Sequence, residues 1–136
     1  MDSTRPPLAD EDILDVAAGM PPMSGREVAA CAARIPEWTV VERREVMRLE
    51  RVFQTPNWQA GLDFATRIGA LAAEANHHPA ILLEWGRVTV TWWTLRVRGL
   101  HRNDFVMAAR TDRLWESVSW KPSNTARRPT FDGPVD

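Results

Sequence analysis

The stretch NHHPAILLEWGRVTVTWWTL, residues 76–95, holds the sharpest changes of local preference in the chain. Asn76 suits a helix terminus, and Pro79 turns His78 away from helical geometry, so a helix is expected to end near Asn76. Beyond the proline, Ile81 to Trp85 and Arg87 to Leu95 read as the two strands of a hairpin turned at Gly86, a residue free to take positive φ. Strand side chains alternate, which predicts Val88, Val90 and Trp92 on one side and Thr89, Thr91, Trp93 and Leu95 on the other. Trp92 and Trp93 therefore face opposite ways, and at least one lies outside a helix-packed core.

Working outward, Thr55-Pro56 offers a cap residue and a proline at the first helical position. The helix that follows places Trp58, Leu62, Ala65, Ile68 and Ala72 on one apolar face. Before it, Trp38 to Val41 and Val46 to Phe53 are rich in β-branched and aromatic residues, with Glu42 to Glu45 between them, and form a first hairpin. Further upstream, Ser24 and Glu27 have capping-box spacing, so a helix starts there, buries Val28, Ala29, Ala32 and Ile35, and stops at Pro36. Downstream, Gly99-Leu100 leads to a last helix from about Arg102 to Val118, with Phe105, Ala108, Ala109, Trp115 and Val118 as its buried stripe. The order helix, hairpin, helix, hairpin, helix predicts an α+β fold, a four-stranded antiparallel sheet with three helices on one face.

The 136 residues are enough for one core, and 44% hydrophobic content with a net charge of -1 is ordinary for a globular domain. No run of like charge points to nucleic acid. A single cysteine, Cys31, excludes an internal disulfide and a cysteine-built zinc site. No segment has the roughly 20 apolar residues of a membrane helix. With Pro6-Pro7 and the acidic stretch Asp10 to Asp12 near the start, no secretory signal is read and a cytoplasmic location is expected. Residues 1–22 read as a flexible or loosely docked arm, 23–118 as the domain and 119–136 as a proline-containing tail.

Asn76-His77-His78-Pro79 resembles the signature of the pterin-4a-carbinolamine dehydratases. The likeness extends to Ile35-Pro36-Glu37-Trp38, Ala72-Ala73-Glu74-Ala75, the block from Trp85 to Trp93, and Gly99-Leu100-His101-Arg102-Asn103-Asp104-Phe105. It implies the pterin-dehydratase-like fold, a dimer or dimer of dimers, and a pterin pocket around Asn76, His77, His78, Pro79, Trp93, Leu95 and Asp104. In that reaction a hydroxyl leaves carbon 4a of a tetrahydropterin while a ring nitrogen loses a proton, work that suits imidazoles near neutral pH. The family uses three histidines. His77 and His78 match two, and the third position falls on Leu95. His101 reads as a helix-entry residue, with Asp104 three positions on. Taken alone, His77 and His78 also suit a helix C-terminus, where the dipole favours them by roughly 0.3 to 1 kcal/mol.

A positioned acid or base contributes roughly 10² to 10⁴ in rate, so Leu95 implies a poor enzyme or none, with His77 and His78 as a vestigial or partial catalytic pair. The resemblance offers a specific alternative role: dehydratase-like proteins of α-carboxysomes that lack the full histidine set and assist RuBisCO assembly. The expected partner is then the RuBisCO large subunit, with carboxysome association. The runner-up is an active dehydratase of 4a-hydroxytetrahydropterin, and the third reading a dimerisation cofactor of a transcription factor. No metal and no cofactor are expected.

Overall fold

The computed structural model describes residues 6–120; residues 1–5 and nearly all of the expected tail, 121–136, lie outside the described residues. After a 3-10 turn at Leu8–Asp10 come α1 (Gly25–Ala32), β1 (Thr39–Arg43), β2 (Val46–Gln54), α2 (Trp58–Ala75), β3 (Ala80–Glu84) and β4 (Arg87–Trp92). A second 3-10 turn at Leu95–Val97 and α3 (Arg102–Glu116) complete the order. The four strands form one antiparallel sheet in the order β1-β2-β4-β3. This is the expected α+β fold.

Register follows the apolar alternation. Leu49 pairs with Trp92 and Phe53 with Val88 across β2 and β4, and all four are buried on the face that carries the helices. Phe53, Phe64 and Trp115 meet with ring centroids 5.0 to 5.2 Å apart, and Trp38 lies 6.0 Å from Phe53. Each such side chain taken fully from water stabilises the fold by about 1.5 to 3 kcal/mol. Trp92 lies at the sheet end of this core, fully buried, and its indole N–H donates to Thr111 Oγ1 at 3.3 Å. Gly61 lets α2 approach the sheet: a Cβ there would sit 2.9 Å from Leu83 Cδ1.

Several local expectations are corrected. The first hairpin turns in two residues, Arg44 and Glu45, both left-handed (φ 53° and 64°), because β1 continues through Arg43 and takes up Glu42. The cap of α2 is Asn57, whose side chain accepts from Ala60 N at 2.8 Å; Thr55 and Pro56 precede it. Ile68 and Ala72 are buried as expected, but Trp58 and Leu62 turn to the surface (46% and 41% exposed), and Ala60, Gly61 and Phe64 are buried in their place. In α1 the buried residues are Val28 and Cys31, while Ala29 is exposed. In α3, Val106 and Met107 are buried beside Phe105 and Ala108. This helix is covered on two sides, by the sheet and by the N-terminal arm, so a one-stripe reading was too narrow.

The correction that bears on function is at the end of β4. The strand stops at Trp92, and Thr94 and Gly99 close an isolated bridge, Thr94 N to Gly99 O at 2.9 Å, around the second 3-10 turn. Leu95 therefore lies on that turn, and the alternation that paired it with Trp93 does not extend to it.

Candidate functional site

The site gathers where α2 ends, β4 ends and α3 begins. Asn76 adopts the left-handed conformation (φ 52°, ψ 42°) that terminates many helices, and His77 N bonds back to Ala72 O at 3.1 Å. The chain then turns so that the His77 ring stacks on Trp92, with centroids 5.5 Å apart and planes 26° from parallel. His77 Nε2 lies 2.6 Å from Asp104 Oδ1.

Asp104 is fully buried and has both oxygens engaged. Its Oδ2 accepts from the Thr94 hydroxyl at 2.7 Å and from His101 N–H at 2.9 Å, and Oδ1 faces His77. With the carboxylate as acceptor, the arrangement is satisfied when His77 carries its proton on Nε2, which leaves Nδ1 free to accept. A buried carboxylate that orients an imidazole is an arrangement suited to moving a proton. His101 caps α3: Nδ1 accepts from Asn103 N at 3.0 Å while Asp104 bonds back to His101 N, a capping box. Burial pushes the His101 pKa down, partly offset by the charge of Asp104, with His77 adding a smaller downward push. His101 is thus a helix-entry residue in this structure.

An open cleft of about 1150 Å³ lies over this arrangement. Asn76, His77, His78, Trp93 and Leu95 all line it; Asp104 lies behind His77, and Pro79 is not among the lining residues. Leu95 is 76% exposed at the rim. The Trp93 ring carries the Arg48 guanidinium 4.1 Å above it, on the sheet face away from the helices. Thr94 and Asn103 were missed in the sequence, as was the approach of residues 12–16 to the cleft. The signal for Thr94 was its place beside Leu95; Asn103 and the arm gave none, since their contacts span 89 residues of chain. Among the described residues, no group of three or more His, Cys, Asp or Glu side chains could hold a metal ion, and no helix is long and apolar enough to cross a membrane.

A four-stranded antiparallel sheet under three helices, with a histidine pair where α2 meets β3, defines a pterin-dehydratase-like protein. The chain matches the family described as Pterin 4 alpha carbinolamine dehydratase over residues 21–114, and it belongs to that family. It is 52% identical over 94 residues to the "Putative pterin-4-alpha-carbinolamine dehydratase" of Nitrosococcus oceani, covering 69% of this chain and 83% of the relative. A protein of the same name from Microcystis aeruginosa is 42% identical over 108 residues, covering 79% and 93%. A crystal structure of a transcriptional coactivator/pterin dehydratase from Brucella melitensis superposes with a TM-score of 0.62 at 22% identity, covering 68% of this chain and 97% of that one, a likeness of fold.

Proposed function

We propose that this chain is a pterin-dehydratase scaffold with an incomplete acid–base set, serving as an assembly factor for RuBisCO in α-carboxysome biogenesis rather than as an efficient dehydratase. The observation that carries this reading is Leu95. It lines the cleft beside His77 and His78, where the sequence resemblance assigns the family's third histidine, and it is apolar and exposed. Leucine has no proton to give or take, so a pterin bound there lacks one polar partner. His101 does not replace it, being engaged as the cap of α3. Assembly by pairing is part of the proposal, as a dimer or dimer of dimers; Trp58 and Leu62 on α2, and Val52 and Leu82 on the strands, are exposed apolar side chains available to it.

The second reading, an active dehydratase of 4a-hydroxytetrahydropterin, is favoured by one specific observation: His77 is held by a buried carboxylate as a working acid or base would be. Two measurements separate them. Dehydration of 4a-hydroxytetrahydropterin by the wild type is expected close to the uncatalysed rate; a rate equal to that of a three-histidine relative overturns the non-catalytic reading. Co-expression with the RuBisCO large subunit is expected to raise assembled enzyme, and to do so equally with His77→Ala and His78→Ala combined, since surface and not proton transfer does the work. No change in RuBisCO yield removes that partner. Light scattering at micromolar concentration tests the pairing, and a strict monomer counts against it.

A further inference from the structure

The cleft is not walled by the domain alone. Residues 6–22 run along α3 and cross beside the histidines, anchored at both ends. At one end Leu8 and Ala9 are buried, and Arg110 donates to Ala9 O at 3.1 Å and Glu11 O at 2.8 Å. At the other, Met23 N bonds to Leu100 O at 2.9 Å, and Pro22 packs so close to Gly99 that a Cβ there would lie 2.8 Å from it. Between the anchors the contacts are of another kind. Asn103, 3% exposed, accepts from Leu14 N through Oδ1 at 2.9 Å and donates through Nδ2 to Leu14 O at 2.8 Å. Arg96, next to Leu95, donates to Val16 O at 3.1 Å. Asp12, Leu14 and Asp15 are exposed themselves, yet Asp12 to Val16 line the cleft with His77.

We propose that residues 12–16 form a strap that gates the histidine cleft, with Asn103 as its latch. The middle of the strap is held by hydrogen bonds from the Asn103 and Arg96 side chains to its main chain, and Ile13 is its one side chain packed, partly buried, against the core, which places it below the fully buried elements in local stability. Both polar atoms of the Asn103 amide turn to water when the strap lifts, so the open state leaves neither of them buried and unsatisfied. Opening is therefore reversible at little cost, while the buried anchors keep the strap tethered. Asn103 is a positioning residue: it touches the strap, and the strap touches what enters. The device holds whichever ligand the cleft takes, so it stands apart from the functional proposal above.

The test reads access to His77 in the full chain by its rate of carbethoxylation, with exposed His78 and buried His101 as internal references. Leu14→Pro decides it. This substitution removes the N–H that Asn103 accepts, at an exposed position, and leaves Asn103 and Asp104 untouched. His77 modification is expected to rise about tenfold, in the range of local opening after loss of a latch bond, with amide protection across Phe105 to Ala108 unchanged. An unchanged His77 rate overturns the gate. Asn103→Ala is expected to raise His77 modification likewise and to expose the Leu14 amide to exchange. A rise with Asn103→Ala but none with Leu14→Pro overturns the proposal too, because Asn103 then acts through its neighbour Asp104 and not through the strap.

Discussion

The two sides of the cleft are built on opposite principles. On one, His77 stacks on a buried indole and meets a carboxylate that also holds Thr94 and the N–H of His101, the cap residue before α3. On the other, Leu95 stands on a 3-10 turn with most of its surface in water. The contrast falls between adjacent residues, since Thr94 belongs to the buried side and Leu95 to the exposed one. The difference teaches that an apolar, exposed rim at Leu95 goes with no loss of order beside it: the groups that position His77 are buried and hydrogen-bonded. A site can keep its orienting machinery for stability alone, because Asp104 also caps α3.

The strongest way to break the contrast is Asp104→Ala, which leaves buried donors from Thr94, His101 and His77 without their acceptor. A loss of about 3 kcal/mol is expected in urea unfolding, and a change within experimental error would mean that the buried side is no more structural than the rim. Next is Leu95→His, which gives the rim a proton-carrying group. If the pocket is otherwise intact, dehydration of 4a-hydroxytetrahydropterin is expected to rise by roughly 10² in stopped-flow assays. Stability should stay within about 0.5 kcal/mol, because the position is exposed. Thr94→Val keeps the shape but removes the hydroxyl that bonds Asp104, and is expected to cost about 1.5 kcal/mol; Leu95→Ala one residue away is expected to cost less than about 0.5 kcal/mol by the same measurement.

The smallest effect concerns pH. His101 binds its proton more weakly in the fold than in the unfolded chain, where its ordinary value is 6.5. As pH falls below 6.5 the unfolded state takes up the proton first, so stability decreases between 6.5 and the lower folded value, and it is flat with respect to this group at pH well above 6.5. Protonation would also take Nδ1 from Asn103 N–H. His101→Asn retains a good capping side chain, and is expected to flatten this part of the stability profile, followed by thermal unfolding between pH 5 and 7.5. An unaltered slope would assign the acid loss to another group.

What could be read along the chain were features set by neighbours in sequence. The capping box at Ser24 and Glu27, the helix end at Asn76 and the turn at Gly86 are local, and each is where the residues place it. So are the alternation of Leu49, Phe53, Val88, Val90 and Trp92, and through it the four-stranded sheet. The blocks around His77 and His78 were enough to point to the family. In the first turns of α2 the expected face differs from the observed one because Asn57 and Thr55 compete as caps, and only packing of Phe64 against Phe53 and Trp115 selects the face there; Ile68 and Ala72 further on are buried as the periodicity places them.

The site divides along the same line. That His77, His78 and Leu95 belong together was legible from motif and position. That Leu95 leaves the sheet, that Asp104 sits behind His77, and that Asn103 holds Leu14 across 89 residues were decided by tertiary structure. The physical reason is range. Propensity, capping and alternation act over a few residues and leave their mark in the sequence, whereas a buried hydrogen bond between distant segments depends on where the whole core has already placed them.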